Sequence, residues 1–488
     1  MHSAAKTVAA ISTPPGKGGV AVIRISGDEA FDIVGRVFFP RSGKGVSEIS
    51  PRRAVYGDIV RYGERIDDGI LTLFPAPNSY TGEDVAEISC HGGVLITRMV
   101  LEAVLASGAT QASAGEFTQR AFINGRLTLT DAEGIGMLLD AETEEQVRLS
   151  SDSARSALRG ETEKLRAALT SLLGDIYARI DYPDEDLGDM SDGEIDAALT
   201  EIIRRSDALL STYPTGHAVS SGIETVICGK PNVGKSSLYN LLCGEDAAIV
   251  TDIEGTTRDV LSQNIQAGSV ILRLSDTAGI HEVDAESGGD RKIEQIGIER
   301  SRKKIDGAEL ILALFDTSRP LSHEDRELIS YLRTAKAKKI ALLTKSDIRS
   351  DEFGESAEAE IQAEFPRVIS ISMAENVGKS VHAPGVSSEQ DAENPALREL
   401  KETIEGMFLD GEIRIGEDAV IYNARQRAYM AEAREHAEHA RDALRRGIPQ
   451  DAISSDIELA LSAIGELDGK AVSEEVVSDI FSRFCVGK

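Results

Sequence analysis

Apolar positions change their spacing three times along the chain. Up to about residue 120 they come in strand-length runs rich in β-branched residues and bounded by turns, as in VAVIRIS (Val20–Ser26) and DVAEISC (Asp84–Cys90). From Leu129 to about Tyr213 they recur three and four residues apart with charges between, which predicts long amphipathic helices. At Ile223 the pattern changes again. Short apolar runs, IETVICG, VILRLSDT, ELILALFDT, KIALLTK and RVISIS, alternate with helical stretches, and this alternation predicts a parallel sheet with crossover helices. A segment rich in Ser, Pro, Gly and acids, HAPGVSSEQDAENP, then reads as a loop or linker. From about Leu397 helical spacing returns, first in EDAVIYNARQRAYMAEAREHAEHARDALRRG and then in two further stretches. The two helical stretches are expected to pack together around the inserted sheet domain, because neither easily buries its apolar stripe alone.

At 488 residues the chain is too long for one core, and three units are expected. No run approaches the ~18 apolar residues of a membrane helix. The opening MHSAAKTVAAISTPPGKGG has one Lys, and its short apolar stretch ends in Pro14-Pro15-Gly16, a turn signal, so no signal peptide is expected. Cys90, Cys228, Cys243 and Cys485 are scattered; their spacing indicates neither a disulfide framework nor a zinc site, and a cytoplasmic setting is expected. The net charge of −29 opposes nonspecific binding to nucleic acid. An RNA substrate would have to meet local basic patches or be presented by a second protein.

The chemistry concentrates after Ile223. Gly229-Lys230-Pro231-Asn232-Val233-Gly234-Lys235-Ser236 matches G-x-x-x-x-G-K-[ST], follows a predicted strand and opens a predicted helix that continues through Ser237. Such a loop turns successive N–H groups toward phosphates, and the helix adds its positive end. Lys235 would reach the β- and γ-phosphates and Ser236 would ligate Mg²⁺. Downstream lie Thr251-Asp252-Ile253-Glu254-Gly255-Thr256-Thr257, in which Thr257 is a second Mg²⁺ ligand from a switch loop, and Asp276-Thr277-Ala278-Gly279. Guanine is indicated by Thr344-Lys345-Ser346-Asp347: a carboxylate at Asp347 can accept both N–H groups of the guanine edge, and the Lys345 stem can cover the ring. The usual form of this element is N-K-x-D, so Thr344 stands in place of Asn and is expected to loosen binding. A later base-cradling element falls on Ser372-Met373-Ala374. The residue after Asp276–Gly279, where Ras-like proteins carry a water-orienting glutamine, is Ile280, so another carboxylate or amide and another positive charge are needed. By contrast, Gly16-Lys17-Gly18-Gly19-Val20-Ala21 precedes a strand instead of opening a helix and is no dinucleotide fingerprint.

Several segments together, TPPGKGGVAVIRISG, PNSYTGEDVAEISCHGG, GEFTQRAFINGRL, VTDIEGTTRD, IGIER and the final Phe484-Cys485-Val486-Gly487-Lys488, make the chain resemble the MnmE (TrmE) family of tRNA-modifying GTPases over almost its whole length. The resemblance implies an α/β and α architecture: an N-terminal α+β folate-binding-like domain over 1–122, a helical domain in two parts over 123–221 and 383–488, and a Ras-like P-loop GTPase domain with a mainly parallel sheet over 222–382. It implies a K⁺ ion in place of an arginine finger, held by Asn232, Thr251, Ile253 and Thr256, and a water-positioning Glu294. It also implies a homodimer through the N-terminal domain and 5-formyltetrahydrofolate held by Arg24, Glu87, Arg126 and Lys488. Cys485 is a possible functional residue near that pocket. Read alone, Arg24 and Glu87 are ordinary charges on a half-exposed strand. The implied partner is MnmG, an FAD and NADH enzyme with which the family adds an aminomethyl or carboxymethylaminomethyl group to the wobble uridine of tRNA. A ribosome-assembly GTPase is the alternative from another class, and the acidic helical tail speaks against it. A folate-dependent one-carbon transferase with a regulatory GTPase is a third reading.

Overall fold

The computed structural model describes residues 6–181, 191–245, 263–274, 305–372, 394–469 and 474–487. The chain divides into two compact units, one of Met1–Asp140, Arg159–Ile203 and Tyr429–Lys488, the other of Ala141–Leu158 and Arg204–Ala428.

The first unit holds a seven-stranded sheet of β1 (Val8–Ile11), β2 (Val20–Ser26), β3 (Phe38–Pro40), β4 (Val55–Arg61), β5 (Glu64–Phe74), β6 (Val85–His91) and β7 (Thr110–Gln111), in the order β3-β4-β5-β6-β2-β1-β7. Neighbours are antiparallel except β1 and β7. The alternation in VAVIRIS sends Ala21, Ile23 and Ile25 into one core, where Val100, Leu101 and Val104 of the helix Val94–Ala106 join them. Arg24 alternates to the opposite face of the sheet. In the helical part of the unit, Leu165, Leu169, Leu172 and Ile176 recur at helical spacing and are buried. Thr162 donates to Asp468 at 3.2 Å, and Arg445 grips Asp196 with Nε at 2.6 Å. These bonds join 159–203 to 429–468, so the two helical stretches meet across the sequence.

In the second unit a six-stranded sheet runs in the order β13-β12-β11-β8-β10-β9, with β8 (Ile223–Cys228), β9 (Gln263–Ala267), β10 (Val270–Leu274), β11 (Leu310–Asp316), β12 (Lys338–Thr344) and β13 (Arg367–Ile371). Only β9 is antiparallel to its neighbour. All seven residues of β11 are buried because both sheet faces are covered. Leu310, Leu312 and Leu314 enter one core; Ile311, Ala313 and Phe315 enter the other with Ile329, Leu332 and Ile361.

Two local findings depart from the periodic reading. Glu417–Tyr422 is not helical. Val420, Ile421 and Tyr422 are buried, and their backbone is tied to hydroxyls: Ile421 N donates to Thr212 Oγ1 at 3.0 Å and Ser220 Oγ donates to the Tyr422 carbonyl at 2.8 Å. The following helix, Ala424–Arg445, starts where Asn423 Oδ1 accepts from Gln426 N at 2.8 Å. The helix Pro395–Phe408, within the C-terminal helical stretch, packs Leu397, Leu400 and Ile404 into the core of the six-stranded sheet. Asn394 caps it, accepting from Ala396 N at 2.9 Å, and Pro395 opens it.

Leu400→Ala is therefore expected to cost the second unit ~2–5 kcal/mol through the cavity it leaves. Leu459→Ala, at a half-exposed position on the helix Gln450–Asp468, is expected to change stability by less than ~0.5 kcal/mol in the same denaturant titration.

Candidate nucleotide-binding site

Every described motif of the second unit stands at the carboxyl edge of its sheet. The register pairs Ala313 with Cys228, Asp316 with Thr344, and Thr344 with Ile371, so Gly229, Lys345 and Ser372 each follow a strand end on one edge. The chain leaves β8 to form β10 on one side and β11 on the other. The loop after β8 is thus at the topological switch point, where open α/β sheets bind ligands.

That loop, Gly229 to Gly234, is wound tightly. Gly229, Asn232 and Gly234 have φ of 148°, 62° and 103°, in the left-handed region. A Cβ on Gly229 would stand 2.8 Å from the Leu314 carbonyl, so the strand-to-loop corner has no room for a side chain. Val233 is buried beneath the loop, and the helix Lys235–Glu245 begins directly after Gly234. Lys235 folds back over the loop: Nζ donates to the carbonyls of Gly229 at 2.9 Å and Lys230 at 2.7 Å. Lys230 points away from the loop, to Ser322 Oγ at 2.6 Å and Asp325 at 2.5 Å. Ser322 and Asp325 form the capping box of the helix His323–Arg333, so this lysine anchors the loop to a neighbouring helix.

The Thr344–Asp347 segment is fastened to the same loop. Thr344 is fully buried, and its Oγ1 lies 2.7 Å from the Val233 carbonyl and 3.2 Å from that of Phe315. Thr344, in the place of the usual Asn, therefore makes a direct hydrogen bond to the loop after β8. Lys345, at φ 58°, turns the chain out of the strand, and its Nζ is 2.8 Å from Asp316 Oδ2. Burial would raise the Asp316 carboxyl, but Lys345 and the Ser318 hydroxyl and amide outweigh it and hold the group below its ordinary value. Asp347 is exposed, with one oxygen accepting from Ser372 Oγ at 2.8 Å; Asn394 Nδ2 in turn reaches the Ser372 carbonyl at 3.3 Å. Ser236 is half-buried and Ser237 exposed at the first turn of the helix, and Ser346 begins the short turn that carries Asp347. Thr251 to Thr257, Asp276 to Gly279, Ile280, Glu294, Met373, Ala374 and Lys488 lie outside the described residues. Lys230 at a variable position of the loop motif, Asp316 and Asn394 are supports that sequence reasoning did not single out; the Asp316-Thr317 pair at the end of β11 is the one signal for Asp316.

Residues 7–126 match the family described as "GTP-binding protein TrmE N-terminus", and residues 129–485 match the "MnmE helical domain". A Clostridioides difficile protein called tRNA modification GTPase MnmE is 35% identical over 482 residues, covering 99% of both chains. The protein of that name from Lactiplantibacillus plantarum is 36% identical over 488 residues, covering 99% of this chain and 98% of its own. The one from Thermotoga petrophila is 36% identical over 482 residues, covering 99% of this chain and all of its own. The chain belongs to the MnmE family.

In this MnmE-family chain the N-terminal sheet sets Arg24 of β2 directly opposite Glu87 of β6, and Arg24 Nε donates to Glu87 Oε1 at 2.9 Å. The guanidinium also lies 5.2 Å from the Tyr80 ring centre and 5.6 Å from that of Phe117. Arg126 is exposed, its stem beside Gly82. A groove of about 540 Å³ opens on the same unit, lined in part by Pro15, Lys17, Val20, Val94 and Val486; Arg24, Glu87 and Arg126 do not line it. The C-terminal segment is sewn onto the unit. Val486 bridges Ala114, Ser12 Oγ donates to the Gly487 carbonyl at 2.8 Å, and Phe484 is buried beside Phe481. Cys485 is exposed, with its carbonyl toward Gly115 N at 3.4 Å.

Thr344→Val preserves shape but leaves the buried Val233 carbonyl without its partner, a loss of ~1–3 kcal/mol. Guanine-nucleotide affinity measured by fluorescent-GDP titration is expected to fall at least several-fold. Because the Asp316 carboxyl is held low, its contribution to stability is complete above its unfolded value of ~3.9 and disappears as pH falls through the lower folded value. Acid unfolding of Asp316→Asn should therefore show a flatter limb below pH ~4 than wild type.

Proposed function

We propose that this chain hydrolyses GTP in the course of tRNA modification, as the name of its relatives states for them. The buried bond from Thr344 to the phosphate loop carries the reading, since it couples a triphosphate cradle to a guanine-reading carboxylate. The amides of Gly229 to Gly234 would take the phosphates, and Lys235 would exchange its two carbonyl acceptors for β- and γ-phosphate oxygens. Asp347, steadied by Ser372, would accept from the guanine edge. Ser236, with Thr257, would hold Mg²⁺, and Asn232, with Thr251, Ile253 and Thr256, would hold K⁺. The two ions supply positive charge where phosphoryl transfer develops negative charge, the role an arginine finger has elsewhere. The left-handed turn at Asn232 leaves its side chain exposed at the loop, in keeping with an oxygen donor there. Glu294 would orient the attacking water in place of the glutamine that Ile280 replaces.

The finer reading follows the family resemblance. Hydrolysis drives G-domain dimerisation and conformational change in a homodimer joined through the N-terminal domain. With MnmG, an FAD and NADH enzyme, the chain adds an aminomethyl or carboxymethylaminomethyl group to the wobble uridine, the carbon coming from 5-formyltetrahydrofolate. Arg24, Glu87, Arg126 and Lys488 are its folate contacts, and the half-buried ring of Tyr80 beside Arg24 suits a flat heterocycle. A net charge of −29 opposes nonspecific tRNA binding, which such a partner or a local basic patch would offset. Free thiols at Cys90, Cys228 and Cys485 fit a cytoplasmic setting, and among the described residues no helix is long and apolar enough to cross a membrane.

Lys235→Ala is expected to slow GTP hydrolysis by about 100-fold or more and to abolish wobble-uridine modification in cells that carry only the variant. Full modification by a hydrolysis-dead protein would refute the motor role. Replacing Na⁺ by K⁺ should raise GTP turnover several-fold; equal rates in the two salts would remove the K⁺ assignment.

A further inference from the structure

A cluster of ligating groups stands outside both candidate sites. His436 and His439 are three residues apart on the helix Ala424–Arg445 and so share a face, and Asp456 comes from the helix Gln450–Asp468. One donor atom from each of the three lies within 4.8 Å of the other two, and His436 Nδ1 is 3.5 Å from Asp456 Oδ1. The imidazole rings are nearly perpendicular, 6.1 Å apart at 83°, so they do not stack. His436 Nδ1 is buried and makes no hydrogen bond among the described residues. A ring nitrogen shielded from water, facing a carboxylate beyond good hydrogen-bond distance, is an unsatisfied group that native interiors rarely keep.

Two imidazoles and a carboxylate are a donor set for a borderline divalent ion such as Zn²⁺, whereas Mg²⁺ selects oxygen alone. Tetrahedral coordination with bonds of ~2.0–2.1 Å sets donors ~3.3 Å apart. The His436–Asp456 pair, at 3.5 Å, already stands near that spacing. His439 is 57% exposed, which leaves an entry path, and Glu435 stands 4.0 Å from its Nε2. We propose that His436, His439 and Asp456 bind one Zn²⁺ ion per chain and so clamp the two helices together, water or Glu435 completing the coordination.

The test uses full-length protein, stripped with chelator and then held in excess Mg²⁺ so that the nucleotide site takes up no other ion. Zn²⁺ uptake is measured by equilibrium dialysis, and Co²⁺ is added as a spectroscopic probe. One saturable Zn²⁺ per chain is expected, with Co²⁺ giving four-coordinate ligand-field bands and no thiolate charge-transfer band. His439→Ala, at an exposed position that tolerates truncation, and Asp456→Asn should each weaken uptake at least tenfold while leaving GTP turnover unchanged. Zn²⁺ should raise the thermal midpoint of wild type and not of His439→Ala. Equal Zn²⁺ uptake by wild type and both variants, or a Co²⁺ spectrum dominated by thiolate, would overturn the assignment.

Discussion

The hydroxyl of Thr344 donates across the sheet edge to the carbonyl of Val233, and that bond sets the distance between the two ends of the candidate nucleotide site. Both residues are fully buried, so the bond is made away from water and is costly to lose. Around it stand supports that keep the loop in one shape. Lys230 anchors the loop to the helix cap at Ser322, Lys345 is held on Asp316, and Thr317 Oγ1 lies 3.0 Å from the Thr344 carbonyl. A parallel sheet makes this possible, because each strand delivers its C-terminal residue to the same edge.

In the N-terminal unit the constraint is closeness of backbones. A Cβ on Gly487 would stand 2.1 Å from the Ile11 carbonyl, so the end of the chain lies directly against β1. This holds the Cys485 backbone in place while its side chain stays exposed. The Arg24–Glu87 pair sits on the other side of β2 from the Ile23 core, with the Arg24 guanidinium against Tyr80 and Phe117.

Much of this was legible without coordinates. Runs such as LILALFD and KIALLT predict buried parallel strands because residues covered on both faces must be apolar, and they form β11 and β12. The G-x-x-x-x-G-K-S run predicts its own strand–loop–helix setting, since only glycine accepts the loop's corner beside Leu314. Helical spacing was less informative about ownership. It marks the Pro395–Phe408 helix, yet Leu400 faces the six-stranded sheet, and nothing in a period of 3.6 says which surface an apolar stripe will meet. EDAVIY carries helical spacing too, yet it lies outside the helix, its backbone bound by Thr212 and Ser220.

By itself, then, the amino-acid order determined most of the element types, the insertion of the sheet domain between helical stretches, and the phosphate loop, all of which rest on local period and local backbone freedom. Tertiary structure alone decided that Thr344 grips Val233, that Ser372 steadies Asp347, and that His436 meets Asp456. Each of these joins residues 20 to 111 positions apart. Their partners are chosen by how strands and helices come to rest against one another, and no neighbouring residue carries that information.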